Sequence, residues 1–485
     1  MSDASAVPIT ARDVAVQVVK RQLTLLPLIG LMFFTVSGGA YGLEDVVSAS
    51  APGMAIVLIL VTPLIWSVPA ALMVAELSTA LPVEGGFYQW VKVALGKFAG
   101  FLEGMWSWLT TWVDMAIYPV LFADYLSQTY YPGGAADATK VIDLGVVTLD
   151  VHWFICLAII WPFAYLNIRG AKLIGDTSTA FMLFILAPFL IMVLIGIPKL
   201  FIDGINPAQP FTPQGVGPAA AFGAGLWVVM WNYLGWDGLS TIAGEVQNPR
   251  KNFPRALAIS VPLITLAYLL PVIAGLAGST DWQAWTAGYF PIVAGNLGGS
   301  WLKYWLTIGG LVSAAGLYSA LLLSVSRIPY VMANDRYLPK AISREHKRYG
   351  TPWVAILVCS VIYSLFTLGP FQSLVVVDVF LCSLALILEF AALIALRIKY
   401  PDLPRPFKIP GGWPVIALIT VLPTVIVGYA VYQNIQDEGW NSMYLSFGAA
   451  AIAPLAYPIL KRFVKKDHPD APLEGIEYDF EAAPQ

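Results

Sequence analysis

The chain has 485 residues, of which 58% are hydrophobic and only 12% are charged, and its mean hydropathy is +0.72. Because soluble domains carry about 25% charged residues, this composition excludes a soluble enzyme or binding module and indicates an integral membrane protein. The net charge of −3 gives no sign of a nucleic-acid partner.

Twelve apolar stretches are long enough to cross a membrane, which takes about 20 helical residues for about 30 Å of hydrocarbon. The sequence therefore predicts an all-α membrane protein with twelve transmembrane helices. The predicted spans lie at 24–50, 54–79, 98–130, 152–168, 174–197, 217–244, 256–278, 302–328, 353–369, 373–397, 413–433 and 442–461. Residues 1–22 contain no apolar segment followed by a cleavage site, so the first span is expected to be retained.

Lys and Arg are distributed unevenly between alternate loops. If the N-terminus is cytosolic, all 27 basic residues except Lys140, Lys199 and Lys303 fall on the cytosolic side. The positive-inside rule then predicts an even number of spans and two cytosolic termini. The expected parts are a cytosolic segment over 1–22, one membrane domain over 23–462, and a cytosolic tail over 463–485 with a composition typical of disorder.

Two spans are interrupted by glycine. Span one reads FFTVSGGAYGLEDVV over 33–47 and breaks at Gly38 and Gly39, ahead of two acids. Span six reads LWVVMWNYLGWDGLSTIAGE over 226–245 and breaks in its middle. These spans open the two halves of a five-plus-five arrangement, and glycine-interrupted helices at matching positions point to an inverted-repeat transporter and its binding site. The alternative explanation for the glycines is close helix packing.

Acids inside the spans are a second signal, because a charge in hydrocarbon costs at least about 2.5–3.5 kcal/mol. Asp114 lies near the middle of span three, and Glu389 near the middle of span ten. Asp237 follows the break in span six, and Glu44 and Asp45 follow the break in span one. Since no Lys, Arg or His lies deep in any span, these acids predict a net negative site that suits a cationic substrate or a proton.

Each acid also has a structural explanation. The acids after the two breaks would stabilise the first turn of a restarted helix, and Glu389 could be a protonated, hydrogen-bonded structural group. Asp114 has the weakest structural explanation, because no basic partner is in reach by spacing. Glu103 and Glu245 lie near cytosolic ends and are expected to pair with loop cations.

These segments resemble the amino acid–polyamine–organocation superfamily of secondary transporters. VSGGAYG at 36–42 resembles its break in helix one, YLGWDGLSTIAGEVQNPRKNFPRAL at 233–257 its helix six, and SRIPYVMANDRYLPKAI at 326–342 its loop after helix eight. Within the superfamily the chain is most similar to plant-type polyamine uptake transporters, L-type amino acid transporter-like permeases and their bacterial relatives. The resemblance implies a LeuT-like 5+5 inverted repeat with discontinuous helices 1 and 6.

The resemblance also implies a binding site. Backbone N–H groups of Ser37, Gly38 and Gly39 would hold a substrate carboxylate, and carbonyls near Trp231 and Leu234 would receive its amine. Trp231 would close over the substrate as an aromatic gate, with packing as its alternative role. The predicted substrate-binding residues are Thr35, Ser37, Gly38, Gly39, Tyr41, Glu44, Asp114, Tyr118, Trp231, Asn232, Leu234, Gly235, Trp236, Asp237 and Glu389.

One position departs from the superfamily. Many proton-coupled members carry a lysine in helix five that faces the helix-one break, and here Ile185 occupies that place, so lysine-based coupling is not expected. We predict proton coupling through Asp114 or Glu389. Sodium coupling, which is less favoured, would use Ser313 and Ser319, but hydroxyls in membrane helices usually bond to their own backbone.

Together these features predict a secondary active transporter of amino acids, polyamines or both in the cytoplasmic membrane, working by alternating access and proton symport. An ion-independent amino-acid exchanger is the main alternative, and a channel would also have a polar interior. An intramembrane hydrolase is disfavoured because the G-x-G-D pattern is absent. With no phosphate loop or metal-ligand cluster, we expect no cofactor and no metal, and only a small-molecule substrate, a proton and lipid as partners.

Overall fold

The computed structural model describes residues 24–81, 86–130, 140–143, 148–169, 178–237, 247–334, 337–369 and 371–467. Helices dominate these ranges. In chain order they are α1 (Leu25–Val36), α2 (Glu44–Ser50), α3 (Pro52–Ala80), α4 (Gly86–Leu95), α5 (Lys97–Tyr130), α6 (Val151–Arg169), α7 (Ser178–Asp203), α8 (Pro218–Asn232), α9 (Pro249–Gly275), α10 (Phe290–Gly298), α11 (Ser300–Val325), α12 (Arg327–Asn334), α13 (Trp353–Phe366), α14 (Phe371–Lys399), α15 (Gly412–Glu438) and α16 (Tyr444–Asp467).

Each predicted span contains helix over most of its described residues, except at the two interruptions in spans one and six and at a few turn residues in or at the ends of other spans. By length and composition, seven segments qualify as membrane-spanning helices: Pro52–Ala80, Val151–Arg169, Leu183–Asp203, Lys251–Gly275, Phe371–Lys399, Gly412–Glu438 and Trp440–Leu460. An integral membrane protein is therefore supported. The total of twelve spans, the inverted repeat, the cytosolic termini and the three-part division of the chain stay predictions, and residues 1–22 and the tail beyond 467 lie outside the described ranges.

Both predicted helix breaks are confirmed. The chain leaves helical geometry between α1 and α2, where Gly39 has φ +99° and Gly42 has φ +84°. It leaves it again after α8, where Gly235 has φ +94°. Side chains disfavour these left-handed conformations, so glycine is what permits the turn. The second half of span six, residues 238–246, lies outside the described residues.

Close packing brings the broken helices to the centre. α2 packs against α8, α1 packs against α9, and the long helix α5 packs along α14 and α11. Gly225 explains the first contact, because a Cβ there would lie 2.1 Å from the hydroxyl oxygen of Ser50 on α2. The breaks are therefore enclosed by protein, which is the condition for unwound backbone at membrane depth.

Several elements were not predicted. Strand β1 (Lys140–Asp143) pairs antiparallel with β2 (Thr148–Asp150), so the all-α description omits a small hairpin. The short helices α4, α10 and α12 were also missed. All of these elements are too short to give the long apolar signal by which spans are recognised.

Candidate functional site

Trp231 lies between the first break and Asp114. Its indole N–H donates to Asp114 Oδ1 at 3.4 Å, and a Cβ on Gly42 would lie 3.0 Å from its ring. The ring also packs edge-on against Phe371, with centroids 5.5 Å apart, and lies 6.3 Å from the ring of Tyr118. The predicted gate residue therefore contacts both the break of span one and the mid-membrane acid.

Asp114 and Tyr118 keep partial exposure although they lie in the interior of the bundle. The hydroxyl of Tyr118, one turn further along α5, interacts with the Asp114 carboxylate. Several residues at the two breaks are partly exposed as well, namely Gly38, Leu234, Gly235 and Asp237. None of the ion pairs in the described part of the chain involves Asp114.

Tyr268 on α9 connects the two breaks. Its hydroxyl donates to the carbonyl of Asn232 at 2.7 Å and lies 3.4 Å from the carbonyl of Val36. These are the last residues of α8 and α1, whose carbonyls lack the usual helical donors. We did not predict Tyr268, although a lone tyrosine in an apolar span needs a hydrogen-bond partner and is a usable signal.

Glu44 is fully engaged. One carboxylate oxygen accepts the Gly42 N–H at 2.8 Å, and the other accepts the Tyr125 hydroxyl and the Phe290 N–H, the latter at 3.3 Å. Glu44 thus joins the first break to α5 and to the start of α10. This geometry favours its structural explanation over direct substrate contact. Nearby, the hydroxyl of Tyr41 donates to the carbonyl of Leu306 at 3.0 Å.

The first break also meets α7 and α11. Ser313 Oγ donates to the carbonyl of Gly38 at 2.7 Å, so one of the two coupling hydroxyls does reach the break. A Cβ on Gly39 would lie 3.1 Å from Ile185 and 3.3 Å from Phe189, so an apolar wall stands where a coupling lysine was considered. Ser319 is not part of this contact, and its carbonyl accepts the Asn167 amide at 3.3 Å.

The other predicted residues have different surroundings. The side chain of Asn232 donates to Val228 O at 2.9 Å within α8, so only its backbone carbonyl faces the break. Trp236 is buried and its indole N–H has no partner among the described residues. Ser37 Oγ accepts the Gly39 N–H at 3.2 Å. For Thr35 only its place in α1 is described, and Glu245 lies outside the described residues.

Buried acids extend the site along α5 and α14. Asp378, which we did not predict, is 1% exposed and lies within electrostatic range of Asp114 and Asp237. Glu389 is buried near Glu103. The expectation that Glu103 pairs with a loop cation is wrong for the described part of the chain, because its Oε1 accepts the Ser107 hydroxyl and its Oε2 has no partner.

An ion triad lies at the end of α3. Glu76 is 0% exposed and receives Arg397 through both carboxylate oxygens, with Nε–Oε1 at 2.7 Å. Arg405 Nε lies 3.3 Å from the same carboxylate, and the N–H of Ile409 donates to it at 2.8 Å. Burial lowers the pKa of Arg405 from its ordinary value, and Glu76 opposes that shift. This cluster is separate from the breaks.

Comparison with known proteins gives consistent similarities. The sequence profile of the amino acid permease family matches residues 25–452. The chain is 34% identical over 448 residues to the polyamine transporter RMV1 of Arabidopsis thaliana, covering 92% of this chain and 86% of that protein. It is 36% identical over 467 residues to the polyamine transporter PUT1 of Oryza sativa subsp. japonica, with coverage of 94% and 82%. The branched-chain amino acid permease BcaP of Bacillus subtilis is 26% identical over 383 residues, with coverage of 76% and 78%.

Proposed function

Because the chain belongs to the amino acid permease family, within the amino acid–polyamine–organocation superfamily, we propose that it is a proton-coupled symporter of polyamines in the cytoplasmic membrane. The family and the relatives are transporters and not enzymes. Polyamine transport is the function in the names of two relatives that are 34% and 36% identical. We propose that its substrate site opens in turn to one side of the membrane and then to the other, which is transport by alternating access.

The observation that carries this proposal is the surroundings of Asp114. Asp114 is partly exposed, the indole of Trp231 and the phenol of Tyr118 lie beside its carboxylate, and it enters no ion pair in the described residues. A carboxylate beside aromatic faces is the chemistry that recognises an alkylammonium group, through charge pairing and cation–π attraction. A substrate amine would supply the positive charge that this site otherwise lacks.

An ion-independent amino-acid exchanger is the second candidate. One observation favours it: Ile185 faces the break of span one without a titratable group. The N–H groups of Ser37 and Gly39 already donate to Phe33 O at 2.7 Å and to Ser37 Oγ at 3.2 Å, so a substrate carboxylate would meet the N–H of Gly38 there. Such an exchanger would bind a zwitterion at the two breaks, and Asp114 would contribute little.

Purified protein in liposomes would distinguish the two. We expect saturable putrescine uptake that shows counterflow and accelerates when the outside is acidified. Leucine exchange that is insensitive to pH, without putrescine uptake, would support the exchanger. Absence of saturation for any substrate would remove the carrier hypothesis altogether.

A further inference from the structure

Two helices carry acids at the same spacing. On α5, Glu103 and Asp114 are eleven residues apart, and on α14, Asp378 and Glu389 are also eleven residues apart. Eleven residues are three turns of helix, so each pair of acids lies on one face and spans about 16 Å. The two helices therefore present matching carboxyl groups at two levels.

The levels face each other. Asp378 is within electrostatic range of Asp114, and Glu389 is within electrostatic range of Glu103, so α5 and α14 run antiparallel past one another. Asp237, beside the second break, acts on the acids of both levels. The result is a row of carboxyl groups on two levels about 16 Å apart, which runs from the proposed substrate site to the level of Glu103, six residues from the start of α5.

Several carboxylate oxygens in this row have no hydrogen-bond partner, which a purely structural role for the acids does not explain. Asp378 Oδ1, Glu389 Oε2 and Glu103 Oε2 have no hydrogen-bond partner in the described structure, although these residues are 1%, 1% and 0% exposed. A buried carboxylate oxygen without a donor costs several kcal/mol, so each such oxygen needs a bound cation or a proton. Ionising both of two buried carboxyl groups within electrostatic range of each other is unfavourable without a cation, so we expect a proton on one group of each level.

The remaining polar groups facing the row are few among the described residues. Cys382 on α14 is within electrostatic range of Asp378 and Glu389, and Tyr118 is within range of Asp114 and Asp378. From α4, the ring of Tyr88 contacts the position of Gly104, and the ammonium of Lys92 lies 5.4 Å from that ring.

We propose that Glu103 and Glu389 form a proton-carrying pair that transfers the coupling proton between the substrate site and the cytosol. The proposal rests on the proposed function, and it adds the path of the proton to it. In each cycle one carboxylate of the pair takes a proton from hydronium on the outer side, so an O–H bond of hydronium breaks and an O–H bond of the carboxyl forms. After the substrate has left, the carboxyl gives that proton to water on the cytosolic side, so one proton crosses with each substrate molecule.

Glu103→Gln is the sharpest variant, because the amide can still accept the Ser107 hydroxyl while it can no longer titrate. We expect putrescine counterflow to persist and accumulation driven by an acid-outside gradient to fall fivefold or more. Glu389→Gln should lose gradient-driven accumulation in the same way. The matched control is Glu345→Gln, since Glu345 is exposed and only accepts the Tyr330 hydroxyl.

A second measurement does not depend on transport. Infrared spectra of substrate-free protein titrated with acid and base should show a protonated-carboxyl band that weakens in Glu103→Gln and Glu389→Gln and not in the control. Unchanged bands with unchanged gradient dependence would overturn the proton pair even if putrescine is transported. Coupling to a sodium gradient instead would also overturn it. If the wild-type protein does not bind putrescine but shows the protonated-carboxyl band, the proposed substrate is refuted and the Glu103–Glu389 proton pair is retained.

Discussion

The hydroxyl of Tyr268 donates a 2.7 Å hydrogen bond to the carbonyl of Asn232 and lies 3.4 Å from the carbonyl of Val36. A single side chain on an unbroken helix therefore reaches the ends of both broken ones. Because each carbonyl ends a helix, movement of one break changes the polar environment of the other through this hydroxyl. Tyr268 thereby connects the ends of the two helices that border the proposed substrate site.

Tyr268→Phe keeps the ring, which packs 5.1 Å from the ring of Tyr233, and removes only the hydroxyl. Leaving buried carbonyls unsatisfied costs about 1–3 kcal/mol, so we expect roughly tenfold slower uptake together with a lower melting temperature. Tyr233→Phe is the control, since its hydroxyl donates to Ile59 O on α3 at 2.9 Å and not to a carbonyl at either break. Equal losses of uptake in the two variants would contradict a coupling role for Tyr268.

Gly39→Leu should abolish uptake while the protein still inserts into the membrane. The backbone at Gly39 has φ +99°, which costs other residues about 1–2 kcal/mol, and the new side chain would collide with Ile185 and Phe189. Uptake and surface expression are the measurements. Gly448→Leu on α16, where a Cβ meets nothing within 4 Å, should behave as wild type. Normal uptake by Gly39→Leu would remove span one from the binding site.

Trp231→Ala should weaken putrescine binding by tenfold or more, about 1.4 kcal/mol, because the ammonium loses an aromatic face and Asp114 loses its donor. Calorimetric titration gives the affinity, and a thermal melt of the same sample gives the stability. Trp161→Ala, which truncates a tryptophan that is 40% exposed, is the comparison. A fall in stability with unchanged affinity would make Trp231 a packing residue.

Asp114→Asn preserves shape and hydrogen bonding and removes the charge. A buried carboxyl without a cation holds a proton, so binding of putrescine to wild type should release protons, and the variant should release fewer. We expect tenfold weaker putrescine binding and little change for a neutral amino acid, measured by paired titrations in two buffers of different ionisation enthalpy. Equal losses for both ligands would assign Asp114 a structural role.

Glu76→Gln should be strongly destabilising. Removing one partner of a buried ion pair costs about 3–5 kcal/mol, since Arg397 and Arg405 would keep uncompensated charge. The exposed pair of Lys199 and Asp203, with Nζ–Oδ2 at 2.5 Å, provides the control, because such pairs contribute about 0.3–0.5 kcal/mol. Melting temperatures in detergent should therefore fall far more for Glu76→Gln than for Asp203→Asn. Equal melting temperatures for Glu76→Gln and Asp203→Asn would show that the ion triad does not stabilise the protein.

Helix positions and both breaks could be predicted from the sequence, because long apolar runs and glycines with special backbone geometry are local signals. The proximity of Trp231 to Asp114 was only implied by resemblance, since 117 residues separate them. Asp378 was missed because it lies at the start of an apolar run and was not distinguished from a span-end acid. Its importance depends on facing Asp114 across α5 and α14, which no local pattern encodes.

For two further acids, the hydrogen bonds in the structure explain why their surroundings differ from the prediction. Glu103 was expected to meet a loop cation because it lies near a span end, yet its helix face turns it inward toward Ser107 and Glu389. Glu44 was expected near the substrate, but the N–H of nearby Gly42 and two donors from distant parts of the chain, Tyr125 and Phe290, occupy its carboxylate. In both cases the decisive quantity is the direction of a side chain, which spacing along the sequence does not determine.

The Glu76–Arg397 pair also constrains how the protein is made. The two residues are 321 positions apart, so at a synthesis rate of about 5–20 residues per second the arginine follows the glutamate by roughly 15–65 s. During that interval α3 is already available for insertion while its acid has no partner. Glu76 lies four residues from the end of α3, where a carboxyl group can wait at the membrane surface until α14 arrives. Closure of this end of the bundle is therefore a late step in biosynthesis, because it needs Arg397 of α14.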